Sequence, residues 1–280
     1  VIIAGISYIN PSNWEPFIPA RTVDSSGVGH YGIQGVITAA GIVFFAFIGF
    51  DAVSTQSQEA VNPTRDIPFA IIASLVICTA LYLMVSLVLT GMVSYKVIDL
   101  GAPVASAFSS VGLYWASMLI TVAAVIGLIS VMLVMLLSQT RIFLNMARDG
   151  LLPQGLFGAI HPVYKTPWKS TLLLGAVASL IAAVTPIEKA TKMTSIGTLL
   201  AFAMICLAVF VLRKRQPDLK RPYRVKYLPL VASLGFLFNL LLMFSLDKAT
   251  WFRLIIWSIA GFLVYFLYSA RHSRLNNQEK

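Results

Sequence analysis

Apolar residues run along this chain in long blocks that short polar stretches interrupt. Seven such blocks stand out, at about Ile33–Gln56, Pro68–Val93, Leu113–Leu137, Ser170–Thr185, Ser195–Leu212, Leu228–Leu246 and Trp251–Ala270. A helix needs roughly 20 consecutive apolar residues to cross a bilayer, so each block predicts a span, the fourth a short one. Barrel-type alternation is absent from the blocks, which argues against a porin-like fold. The expected fold class is an all-α polytopic membrane protein.

Between the blocks the punctuation is clear. Pro11, Pro16 and Pro19 make Asn10–Ser26 a loop, and Pro68 is placed to open the second helix at its first turn. Pro103–Phe108 suits either a short surface helix or a plain loop. The helical pattern of the third block can run on past Arg141–Met146. Ahead of everything lies Val1–Ile9, an apolar stub without the basic region or cleavage site of a signal peptide. It reads as the end of a helix that begins elsewhere, and the chain as a fragment.

Composition strengthens the membrane reading. The chain is 58% hydrophobic and 11% charged, with a mean hydropathy of +0.82, whereas soluble domains carry about 25% charged residues. A formal charge of +10 would suggest nucleic acid in a soluble protein, but here the cations gather in alternate loops and no nucleic-acid partner is expected. Arg65, then Arg141, Arg148, Lys165 and Lys169, then the seven between Arg213 and Lys226, then Arg271, Arg274 and Lys280 fall on one side. That is fifteen of the 21 Lys and Arg. The side rich in Lys and Arg is cytoplasmic by the positive-inside rule, which puts residues 1–30 outside and the C-terminus inside. The Arg213–Lys226 run could hold lipid or nucleic acid, though a basic cytoplasmic loop accounts for it.

Little points to catalysis. His30, His161 and His272 are scattered, no metal or nucleophile motif is present, and no cofactor is expected. Cys78 and Cys206 sit within apolar blocks as small hydrophobes. Gly27-Val-Gly29-His-Tyr-Gly32 matches a dinucleotide fingerprint in letters only, because Arg21–Ser26 does not read as the strand that motif requires. Trp251 and Trp257 suit an interfacial belt, with packing an alternative for Trp257.

One stretch inside the first block breaks the apolar rule. Gly41-Ile-Val-Phe-Phe-Ala-Phe-Ile-Gly-Phe-Asp51-Ala-Val-Ser-Thr55 places Gly49 and Asp51 well within a span. A carboxylate at that depth costs roughly 2.5–3.5 kcal/mol and usually faces a cavity or partner. Glycine lowers the barrier to leaving helical geometry. A broken helix lining a ligand cavity follows, with a packing glycine and an Asp51 near the aqueous boundary as the alternative.

Phe44-Phe-Ala-Phe-Ile-Gly-Phe-Asp51-Ala-Val-Ser-Thr, followed by Glu59-Ala-Val-Asn-Pro-Thr-Arg-Asp-Ile-Pro68, resembles the sixth helix and next loop of cationic-amino-acid-transporter-type permeases. These belong to the amino acid–polyamine–organocation superfamily. Ala147-Arg148-Asp149-Gly150-Leu-Leu-Pro153 with His161-Pro-Val-Tyr-Lys-Thr-Pro167 resembles the basic loop after that family's eighth helix. The resemblance implies a five-plus-five inverted-repeat fold with two peripheral helices, of which this chain holds family helices six to twelve. Residues 31–213 are then the second repeat with its first span broken. Residues 1–30 are the end of a truncated helix and an extracellular loop. A basic loop and two peripheral spans occupy 214–270, and 271–280 is a cytoplasmic tail.

The function so implied is secondary active transport of an amino acid by alternating access. Its partners would be the substrate, membrane lipids, protons and the missing N-terminal half. By resemblance, Phe45 is an aromatic gate, Ala46 and Ile48 contact substrate largely through backbone, and Gly49 permits the unwinding. Asp51 either exchanges a proton or caps the inner half-helix. The proton-coupling lysine of some family members would lie on a helix absent here. Ser54, Thr55, Thr121 and Ser130 lie on site-bearing spans, but the inner half of the third span shows no adjacent hydroxyl pair of the kind that binds sodium in relatives. Ser138 and Thr140 lie too near the basic loop to read as ligands. A seven-span receptor is the rival class, against which stand the missing Asp-Arg-Tyr and Asn-Pro-x-x-Tyr motifs.

Overall fold

A computed structural model describes residues 1–23, 29–55, 60–99, 101–218, 221 and 224–273. The chain forms an all-α polytopic membrane protein whose principal helices are α1 (Gly32–Val43), α2 (Ala52–Thr55), α3 (Pro63–Met92), α4 (Pro103–Ser110), α5 (Tyr114–Arg148), α6 (Trp168–Val184), α7 (Ile187–Arg215), α8 (Leu228–Phe244) and α9 (Lys248–Val264). Five stretches are long and apolar enough to cross a membrane: Gly32–Ser54, α3, α5, α7 and Lys248–His272. The 17-residue helices α6 and α8 fall at the lower end of the spanning range of about 17–25 residues. Each predicted apolar block thus corresponds to helical structure, the first to α1 and α2 together.

The boundaries carry three corrections. α3 opens at Pro63 rather than Pro68, with the Asn62 carbonyl accepting from Arg65 (3.1 Å) and Asp66 (2.9 Å). Pro63 fits a first helical position, where its missing N–H is no loss; Pro68 then sits one turn inside, costing one ladder bond. α7 starts eight residues before the apolar block at Ser195 because its first turns are polar yet helical. Lys192 Nζ meets Glu188 Oε1 at 2.8 Å one turn away. Thr22–Val23 does form a strand, paired antiparallel with Gly29–His30. A two-residue antiparallel ladder is not the parallel βαβ unit a dinucleotide site requires, and Gly27 and Val28 lie outside the described residues.

Packing divides the chain into two units, Val1–Ala20 with Phe69–Val134 and Arg21–Pro68 with Met135–Lys280. In the first, Phe108 of α4 is fully buried among Val88, Met92 and Ala116. Pro103 at the first helical positions starts α4, so this segment is a packed helix rather than a plain loop. The N-terminal stub is tied to the end of α3. Asn10 N–H donates to the Gly91 carbonyl (2.9 Å), Asn13 Nδ2 donates to that carbonyl (2.7 Å), and Trp14 Nε1 donates to Thr90 Oγ1 (3.0 Å).

In the second unit Ile196 and Leu199 of α7 meet Met243 and Leu246, with Ile42, Phe44 and Trp251 around them. Trp251 is engaged within the unit: its Nε1 donates to the Met243 carbonyl at 2.9 Å and its ring stacks on Phe244. Trp257 is the exposed one, at 61%. Gly41 lets α1 approach α8 closely, because a Cβ there would stand 3.2 Å from the Leu242 carbonyl oxygen. Beyond α9 a π-helical turn, Tyr265–Ser269, leads to Ala270–His272. Ser269 Oγ donates to the Leu151 carbonyl at 2.8 Å.

Candidate functional site

α1 ends at Val43, and the next four residues, Phe44–Phe47, tighten into a 3-10 turn. Such turns often close a helix C-terminus. Here the turn does not end the span's apolar run. Ile48 swings to extended geometry (φ −62°, ψ 130°), and Gly49 takes φ +120°. Backbone in that region is open to glycine and strained for other residues. Helical geometry resumes at Ala52.

Through the interruption the i→i−4 ladder gives way to shorter closures. Ile48 N–H donates to the Phe45 carbonyl (3.2 Å), Ala52 N–H to that of Gly49 (3.1 Å), and Ser54 N–H to that of Asp51 (2.9 Å). Ser54 Oγ also donates to the Asp51 carbonyl, at 2.6 Å. The Asp51 carboxylate runs backward, its Oδ1 accepting from the Gly49 N–H at 3.1 Å. This side chain therefore braces the turn on which Gly49 sits. A carboxylate accepting from a backbone N–H is among the stronger hydrogen bonds.

Two residues that the sequence reading did not single out hold this geometry. Phe202 of α7 packs on both sides of the break, its ring centroid 6.0 Å from Phe44 and 5.4 Å from Phe50. Met135 of α5 lies against Gly49, where a Cβ would approach its Cε to 2.8 Å. An aromatic residue within a span is a weak signal, so Phe202 could not be found without the fold.

The five predicted residues fall between Phe45 and Asp51 and all lie on the interruption. Phe45, 42% exposed, and Ala46 face outward from the unit, while Ile48, Gly49 and Asp51 are half-buried. The two hydroxyls singled out on α5 are spent locally: Thr121 Oγ1 donates to the Ser117 carbonyl (2.9 Å) and Ser130 Oγ to that of Ile126 (3.1 Å). Thr140, nearly fully buried, donates to Leu137. Among the described residues no group of three or more His, Cys, Asp and Glu is placed to hold a metal ion.

A span interrupted at a glycine is a feature of many helical membrane transporters. The comparisons agree. The family model described as amino acid permease matches residues 1–265. A methylthioribose transporter of Bacillus subtilis is 45% identical over 98% of this chain and 57% of its own length. The branched-chain amino acid permease BcaP of the same organism is 42% identical over 96% of this chain and 56% of its own. The vacuolar cationic amino acid transporter 4 of Arabidopsis thaliana is 40% identical over 69% of this chain and 32% of its own. The chain thus spans between about a third and about three-fifths of the length of these relatives. With its apolar helices and this match across nearly its whole length, the chain belongs to the amino acid permease family, as a multi-pass membrane protein.

Proposed function

We propose that this chain is the substrate-holding second half of a secondary active transporter for amino acids, working by alternating access. The observation that carries the reading is the interruption at Phe44–Asp51 in an otherwise apolar span. Half-helix ends and extended backbone at membrane depth offer N–H groups to an anionic group and carbonyls to a cation. An amino acid zwitterion carries both. Phe45 then closes over the substrate, Ala46 and Ile48 offer backbone, and Gly49 supplies the turn. The fifteen-rich side of the charge count is the cytoplasmic one, residues 1–30 lie outside, and a further N-terminal segment completes the cavity wall.

The test is uptake of radiolabelled amino acids into proteoliposomes by the full-length protein. Phe45→Ala is expected to raise KM or lower kcat by about tenfold or more, in keeping with a positioning contact. Unchanged uptake would remove Phe45 from the site.

Asp51 is assigned to the brace first and to proton exchange second. Asp51→Asn keeps an oxygen for the Gly49 N–H, so a bracing role predicts near-normal uptake at every pH, whereas Asp51→Ala is expected to lose most of it. If Asp51→Asn instead removes the response of uptake to a pH gradient, the residue couples transport to protons.

A second reading of the cargo has its own support. The methylthioribose transporter matches nearly the whole chain, as the branched-chain permease does, at slightly higher identity. A thiosugar has no zwitterion for the two half-helix ends, so its uptake would assign the break to hydroxyl recognition. Competition between unlabelled methylthioribose and a panel of amino acids separates the two.

A further inference from the structure

Away from the break, α7 and α8 lie side by side and leave a groove of about 330 Å³ lined by Cys206, Leu207, Phe210, Ala232, Phe236 and Leu237. A Cβ on Gly235 of α8 would stand 3.0 Å from Cys206 Sγ, and the short 216–227 connection joins the end of α7 to the start of α8. The helices are therefore antiparallel, and Phe210 marks the groove end nearest the 213–227 connection. One turn further on, Lys214 Nζ stands 4.7 Å over the Phe210 ring. The apolar floor and the first cation are thus continuous.

The connection beyond is strongly one-signed. Arg213–Lys226 holds seven cations against a single carboxylate, Asp218. Two of the guanidiniums fold the segment: Arg213 Nη1 donates to the Val225 carbonyl (3.0 Å), and Arg221 donates to those of Gln216 (2.6 Å) and Pro217 (3.1 Å). Lys214 and Arg215 at the end of α7 and Arg224 and Lys226 shortly before α8 are exposed. At the same end α8 begins after Tyr227, whose side chain makes no capping bond, so its first turn adds partial positive charge.

We propose that this groove and its cations form a site for an anionic glycerophospholipid. The phosphate sits between Lys214 and the first turn of α8, and one acyl chain lies along Phe210, Leu207, Ala232 and Phe236. Charge complementarity chooses the headgroup, since a cluster of four exposed cations beside a span attracts anionic lipid by roughly fivefold per cation. The apolar floor distinguishes this site from a merely basic loop, because it fixes where the chain goes. The site is independent of the substrate reading, being built by other residues.

Native mass spectrometry of the purified full-length protein in detergent tests it, with dioleoyl-phosphatidylglycerol and dioleoyl-phosphatidylcholine supplied in equal amounts. Selective retention of the anionic phosphatidylglycerol is expected, and equal retention overturns the proposal. Lys214→Gln and Arg215→Gln are each expected to lower that retention roughly fivefold with an unchanged melting temperature. Ser233 also lines the groove, so Ser233→Trp places an indole in it, and Phe210→Ala removes its end wall. Both are expected to weaken retention with every exposed cation intact. If both retain the lipid as the parent does, the attraction is one of headgroup alone and the groove has no part in it.

Discussion

Gly49→Ala is expected to lower uptake by more than about tenfold, although it adds a single methyl group. The nearest obstacle is the mobile end of Met135, at 2.8 Å from the added Cβ, which can move aside at little cost. The backbone cannot. At φ +120° an alanine is strained by roughly 1–3 kcal/mol, and it favours helix over glycine by about another 1 kcal/mol. Together these bias the 44–51 segment toward a continuous helix by about 2–4 kcal/mol, enough to change the dominant conformer. Gly49→Leu adds bulk against Met135 and should be at least as severe. Uptake in proteoliposomes and a thermal melt, measured together, separate loss of the break from loss of the fold. Normal transport by Gly49→Ala would mean that the interruption does not serve the substrate.

The largest effect on stability is expected at Phe108. Its ring is fully buried in the unit formed by Val1–Ala20 and Phe69–Val134, against Val88, Met92 and Ala116. Phe108→Ala should cost about 3–5 kcal/mol through lost contacts and the cavity left behind. Phe262→Ala is the matched comparison: that ring is 63% exposed, and its removal should cost far less. A thermal melt in one detergent decides between them, and equal shifts would show that α4 does not hold this unit together.

The spans were legible because hydrophobic length is a strong signal and lipid demands it. The break was legible for a different reason. A glycine and a carboxylate inside an apolar run conflict with the rule the surrounding residues obey. What the sequence could not disclose was the direction of a side chain. Asp51 was open to proton exchange or to capping the helix ahead of it; the bond it makes is backward to Gly49 (3.1 Å). Phe202 escaped because its partners, Phe44 and Phe50, lie more than 150 residues earlier in the chain, and periodicity within one helix carries no information about contacts at such separation. Pro68 misled for a local reason. Asn62-Pro63 and Asp66-Ile-Pro68 both suit a helix start, and the chain used the first. The polar opening of α7 was missed because Glu188, Lys189 and Lys192 fall outside any apolar window even though the Glu188–Lys192 pair supports helix.

The hydroxyl of Ser269 donating to the Leu151 carbonyl has a practical corollary for anyone trimming or tagging the polypeptide. That bond ties the π-helical turn after α9 to a segment 118 positions upstream, and Ser273 just past it is still shielded. Shortening to Val264 would therefore unfasten a distant loop along with the discarded tail, whereas a reporter fused after Ser273 leaves the clasp shut.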